Sequence, residues 1–339
     1  MPNDPVTVAA DGTVHLPARS VPPPRGISDT ARRYLATPFP IADWPPVSEV
    51  AAYRKQIAEV DAGFAAARAQ ALASLPVEVA VQRMNGVPVY TGVPRRLAAG
   101  RRDQAVVFLH GGGMIVFGGE LVRGTAAESA LQFECRSYAV DYRMPPDHPY
   151  PAPVDDCVAA YRAIIERHEP RNVIVAGSSA GGNLAAALAL RLRDAGLPAP
   201  AALVLLTPEV DLTESGDTFQ TMAGLDNVLK HSLMQVNLLY AGGHDLKDPY
   251  LSPLFADFTR GFPPSLIQTG TRDLFLSNAV RLHRALRRAG IETELHVWEG
   301  MPHGGFGGNA PEDTEVTAEI RQFVAKHWGR TGMSEGSRS

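Results

Sequence analysis

Apolar and polar positions change period several times along this chain, and each change marks an element. Residues 48–75 repeat apolar positions at helical spacing, which predicts a long amphipathic helix with Ser48 as its N-cap and Pro76 just past its end. From Val77 the period drops to two. Val77, Val79 and Val81 alternate with other residues, Asn85-Gly86 supplies a turn and Val87 resumes, so 77–93 reads as a hairpin. From Ala105 onward short apolar runs alternate with longer helical stretches. Strands are expected at Ala105–Leu109, 137–140, 173–176, 201–206, 264–268 and 294–298. Helices are expected at Leu121–Phe133, 154–167, 278–289 and 312–327, and after 180, where Leu184, Leu188 and Leu192 recur every four residues.

Strands that are apolar throughout, separated by helices, predict an α/β fold: a mostly parallel sheet with helices on both faces and the opening hairpin as an antiparallel edge. The stretch up to Pro46 is proline-rich and polar, with one short helical piece at Asp29–Leu35. Between Pro208 and Pro263 there are helical pieces but no strand. These features divide the chain into an arm and cap helices at 1–75, a core at 76–329 with a second cap segment at about 211–243, and a disordered tail at 330–339. Phe64, Phe219, Leu225, Leu229 and Leu233 are candidates for lining a substrate site under the cap, with core packing an equal reading for each.

Composition narrows the function classes. The 339 residues are 45% hydrophobic and 20% charged, with a formal net charge of -4, which gives no reason to expect nucleic acid or an acidic membrane as partner. The opening MPNDPVTVAADGTVHLP lacks the basic and apolar regions of a signal peptide, and no apolar run reaches the length of a membrane span. A cytoplasmic protein is the expectation. The two cysteines, Cys135 and Cys157, read as small buried hydrophobes, with no disulfide framework or metal site. The residues do not fix the oligomeric state; a homodimer is compatible with them.

Candidate chemistry starts at VIVAGSSAGGNLAAALAL, from Val173. An apolar strand collapses into Gly177-Ser178-Ser179-Ala180-Gly181-Gly182 and resumes as a helix. Strand, sharp turn and helix around G-x-S-x-G form the setting of a nucleophile elbow, with Ser179 as nucleophile and with Gly177 and Gly181 letting strand and helix approach closely. A serine hydroxyl needs a base. In the order serine, acid, histidine, the late histidines are His283, His296, His303 and His327. His283 and His327 fall inside expected helices as solvated or capping residues, and His296 alternates within a strand toward a helix layer. His303 stands in Gly300-Met301-Pro302-His303-Gly304-Gly305, a loop just beyond a strand, where open α/β sheets collect their functional groups. Asp273 is the first carboxylate beyond the preceding strand; Asp245 and Asp248 are weaker candidates for the acid. His110-Gly111-Gly112-Gly113 follows the strand at Ala105–Leu109, so its bare amides, with the N–H of Ala180, are candidate oxyanion donors.

These motifs together, with VDYRMPPDHPYPAPVDD from Val140, DPYLSPLFAD from Asp248 and GFPPSLIQTG from Gly261, resemble the hormone-sensitive-lipase-like α/β-hydrolases, the bacterial family IV esterases. The resemblance runs from about Ala105 to the last helix. It implies the α/β-hydrolase fold and hydrolysis of small carboxylic esters, often of short to medium chain, without metal or cofactor. Carried over, Ser179 is the nucleophile, His303 the general base and later acid, and Asp273 its orienting acid. Gly112, Gly113 and Ala180 supply oxyanion amides, Gly111 shapes the turn and His110 ties the loop down. The family usually has aspartate or threonine where Ser178 stands, and often DPL where this chain has Asp273-Leu274-Phe275. TGTRDLFLS looks more like members described as lactone hydrolases. A lactone hydrolase or amidase with the same triad is therefore the nearest alternative, and a non-catalytic receptor on this fold a remote one. Haloalkane dehalogenase or epoxide hydrolase chemistry would want aspartate at position 179.

Overall fold

The structure is a computed structural model that describes residues 6–37, 39 and 43–329. The tail expected at 330–339 lies outside the described residues. Two short strands, β1 (Thr7–Val8) and β2 (Val14–His15), pair antiparallel near the start and were not foreseen. Helices α1 (Asp29–Leu35) and α2 (Val50–Ser74) follow. The core then runs β3 (Val77–Met84), β4 (Val87–Pro94), β5 (Ala105–Leu109), α3 (Leu121–Phe133), β6 (Arg136–Val140), α4 (Ala152–Ile165), β7 (Val173–Ser178), α5 (Ala180–Asp194) and β8 (Ala202–Leu206). After the short helices α6 (Thr218–Thr221) and α7 (Met234–Ala241) come β9 (Ser265–Gly270), α8 (Leu276–Arg288), β10 (Thr293–Trp298) and α9 (Pro311–His327). No helix among the described residues is long and apolar enough to cross a membrane.

One eight-stranded sheet has the order β10-β9-β8-β7-β5-β6-β4-β3. β3 and β4 are antiparallel additions at one edge; the other neighbours are parallel. The β3–β4 turn is the expected Asn85-Gly86 pair, both at positive φ, with Met84 opposite Val87. The central strands show why wholly apolar runs build this sheet. In β5, Val107 and Leu109 pack under α4 and α5, while Val106 and Phe108 face Phe133 of α3 and Ile320 and Phe323 of α9. β7 divides the same way, Val175 to one face and Ile174 to the other. Both cysteines are buried, as expected, and burial pushes the Cys135 thiol up to about 12.

Ser48 is not the cap of α2. The chain turns at Pro46, whose carbonyl accepts from the N–H of Glu49, and Glu49 occupies the capping position without a side-chain bond. The turn at 46–49 places the serine before the helix, out of reach of its free N–H groups. His327 also departs from expectation. It is buried rather than solvated, against the Phe323 ring and 3.7 Å from Glu292.

Candidate active site

The candidate site residues lie beyond the carboxyl ends of β5, β7, β9 and β10. β7 ends at Ser178 and α5 begins at Ala180, leaving Ser179 alone to reverse the chain, at φ 57° and ψ -122°. This is a costly conformation for a residue with a Cβ, held by contacts on every side. The Ser179 N–H donates to Leu206 O at 2.8 Å, and its carbonyl accepts from Gly182, Asn183 and Glu209. Gly177 and Gly181 are needed for packing: a Cβ on Gly177 would stand 2.1 Å from Gly181 O, and one on Gly181 1.9 Å from Leu109 O. Ser179 is half-buried, and its Oγ makes no hydrogen bond to His303 in this structure.

The loop after β5 lies against this turn. A Cβ on Gly111 would meet Ser178 O at 3.0 Å and Ser179 Cβ at 3.3 Å. Gly112 and Gly113 have φ 108° and 60°, conformations open to glycine. The N–H groups of Gly112, Gly113 and Ala180 donate to no protein acceptor among the described residues. His110, at the start of the loop, is held within it. Its Nδ1 lies 2.8 Å from Gly111 O, and its ring stacks on Tyr142 at 4.2 Å. The Tyr142 hydroxyl donates to His110 O at 2.7 Å. Burial pushes the His110 imidazole down to about 4, so it is neutral near pH 7.

Two strands away, β9 and β10 bring Asp273 and His303 together. His303 Nδ1 and Asp273 Oδ1 are 3.0 Å apart, both side chains buried. Asp273 also accepts from the Phe275 N–H and from Thr269 Oγ1, and Phe275 meets the imidazole edge-on at 4.9 Å. Burial alone would lower the His303 pKa; the Asp273 carboxylate, helped by Asp226 and Glu209, outweighs it and the net shift is upward. The other candidates stand elsewhere. Asp245 and Asp248 accept backbone N–H groups in their own turns, His296 meets Glu294 and Glu319, and His283 rides on α8. Among the cap candidates, Phe219 packs on Leu274 and Phe275 with Leu229 and Leu233 beside it, and Phe64 meets Phe117.

Three buried polar residues escaped the sequence reading. Asn183 donates to Glu209 O and Leu251 O, both at 2.7 Å, tying α5 to the segment beyond β8. Glu209 is fully buried; burial first, then the nearby Glu214, pushes its carboxyl up to about 8. Its N–H bonds Ser179 O while its carboxyl is close enough to influence His303, so it bridges the two halves of the site. The rule that selected Asp273, a carboxylate just past a strand, could have found Glu209 beyond β8. Asp226, which holds the His303 N–H at 3.2 Å, leaves no such signal.

The comparisons agree with this fold. Residues 106–306 match the protein family described as the alpha/beta hydrolase fold. A crystal structure of an esterase from the bacterial hormone-sensitive lipase family aligns over 89% of this chain and 99% of its own, with TM-score 0.74 and 30% identity. The chain belongs to the α/β-hydrolases, among the hormone-sensitive-lipase-like esterases. Another esterase crystal structure is 34% identical with TM-score 0.85, over 93% of this esterase and 98% of that chain. An acetyl-hydrolase of Streptomyces hygroscopicus is 35% identical over 206 residues, 60% of this esterase and 69% of the relative. The enzyme is a carboxylic ester hydrolase.

Proposed function

We propose that the esterase works through Ser179, His303 and Asp273 by way of an acyl-enzyme. The observation that supports this reading is a buried His303–Asp273 pair and a serine elbow at the carboxyl ends of strands of one sheet, with amides beside the elbow that donate to no protein acceptor among the described residues. Ser179 Oγ attacks the ester carbonyl while His303 Nε2 takes its proton. The carbonyl oxygen, now negative, is received by the N–H groups of Gly112, Gly113 and Ala180; one such donor is typically worth about 10²–10³-fold in rate. His303 then gives its proton to the departing alcohol, and water repeats the sequence to release the acid. Asp273 holds the Nδ1 proton side of the ring and favours the imidazolium that forms in each step. The Ser179–His303 contact closes when substrate is bound, as serine–histidine contacts that are loose in free enzymes do.

Short- to medium-chain esters are the proposed substrates, supported by the acetyl-hydrolase among the relatives. Residues 1–75 and about 211–243 form the proposed cap. Its support is the apolar cluster in which Tyr53 of α2 and Val236 and Leu239 of α7 close over Ile115 and Val116, just past the glycine loop. Ser179→Ala is expected to abolish turnover of p-nitrophenyl butyrate and labelling by a fluorophosphonate, with an unchanged circular dichroism spectrum. Retained turnover overturns the assignment.

A further inference from the structure

The loop that carries His303 has little rigidity of its own. Gly300, Gly304, Gly305, Gly307 and Gly308 all sit at positive φ within it. Aiming the imidazole therefore depends on contacts from outside. Asp273 holds one ring nitrogen and Phe275 the ring edge, but the backbone of His303 is held by a third residue. Asp226 is fully buried, in the stretch between α6 and α7. Its Oδ1 closes a local turn, accepting from Val228 and Leu229 at 2.9 and 3.2 Å. Its Oδ2 leaves that turn. It accepts the N–H of Leu274, next to the acid, at 3.0 Å and the N–H of His303 at 3.2 Å. A residue serving only its own turn would not reach partners 48 and 77 positions away. The next residue extends the link. Asn227 Nδ2 donates to Tyr34 O and Thr37 O, both at 3.1 Å, joining the same point to the N-terminal arm.

Resting on the triad reading, we propose that Asp226 is a positioning residue: its carboxylate clamps the acid-bearing and base-bearing loops together and ties their alignment to the seating of the 211–243 segment. Burial pushes the Asp226 carboxyl above its ordinary value against the pull of His303 and the N–H donors, and in its ionised form the clamp places a negative charge beside the base. The charged and titratable groups facing His303 are Asp273, Asp226 and Glu209; Tyr34 and Asp273 are the others facing Asp226. Asparagine at 226 keeps the shape but turns an NH₂ group toward donors that had a lone pair, and it removes the charge.

The test is Asp226→Asn, assayed with p-nitrophenyl butyrate as kcat per fluorophosphonate-titrated site and as the pH profile of kcat/KM. The expected result is kcat per titrated site at least 10-fold lower with KM changed less than 3-fold. The acid limb of the profile is also expected to move to lower pH, because loss of a neighbouring anion makes His303 easier to deprotonate. A merely structural role would lower the melting temperature and the titratable fraction but leave kcat per titrated site and the acid limb at wild-type values; that outcome overturns the inference. Should Asp226→Asn be recovered unfolded, Asp226→Ser, small enough to admit water to the same donors, carries the same readouts. Ser179→Ala separates the two readings. If it keeps turnover, the triad reading fails and this inference with it. If it is inactive and the wild type labels, while the Asp226 variants match the wild type per site, only this inference fails.

Discussion

Glu209 shows how a single buried acid registers in the behaviour of the folded chain. Its carboxyl is fully buried and is pushed up to about 8, against 4.5 in the ordinary case. Below about pH 4.5 folded and unfolded chains both hold the proton, and nothing is lost. Between about 4.5 and about 8 the unfolded chain releases it while the folded chain keeps it. Stability therefore falls as pH rises through that window, by up to about 1.4 kcal/mol per unit, and levels off above it. Glu209→Gln removes this dependence. Urea unfolding from pH 4.5 to 8.5 should show the variant gaining on the wild type with rising pH; a pH-independent difference would contradict the titration. The residue scale is also where the sequence was least legible. Ser179, Asp273 and His303 sit in glycine-rich or strand-end contexts that announce themselves. Asp226 and Asn183 act on backbone groups far along the chain, and a carboxylate or amide that bonds a distant N–H or carbonyl leaves no local pattern.

At the scale of elements, the strands and helices of the core were legible because burial imposes its own period: two on β5 and β7, near four on α5. Their ends fall within two residues of expectation, the range over which helix ends fray. The start of α2 was misread because a serine before an apolar run is a cap only if the backbone delivers it there, and the Pro46 turn does not. Where two elements touch without side chains between them, glycine becomes obligatory. Gly181→Ala would set a methyl 1.9 Å from Leu109 O and 2.6 Å from His110 O, pushing α5 off the end of β5. A loss of about 3 kcal/mol is expected, together with turnover, since the same shift moves the 110–113 loop. Gly63, exposed in α2 with nothing near its Cβ position, is the contrast: Gly63→Ala should raise stability by up to ~1 kcal/mol. Chemical denaturation of the two variants side by side checks both signs.

Across the whole molecule, the N-terminal arm is joined to the base-bearing loop rather than draped over the surface. Ile27 and Ala31 share a buried cluster with Met301, Phe306 and Ala310, and Tyr34 meets Phe306 edge-on at 6.3 Å while lying over Gly307. Tyr34→Ala is expected to cost about 1–2 kcal/mol, less than truncation of a fully buried aromatic because the ring is half-exposed. Hydrogen exchange should quicken across 300–308 while the amides of β5 and β7 stay protected; uniform quickening would mean the arm supports the sheet instead. The arm was legible only as a proline-rich stretch with one short helix, since its partners lie at the other end of the sequence.

That joining has a consequence for how the enzyme is made. Ser28 donates through its N–H and Oγ to Glu312, a partner 284 positions further on. On the ribosome the arm emerges long before the loop it must brace. On the proposed triad, the nascent chain until then carries a finished serine turn with no aimed imidazole to arm it, and hydrolytic power arrives late, when the two distant stretches meet.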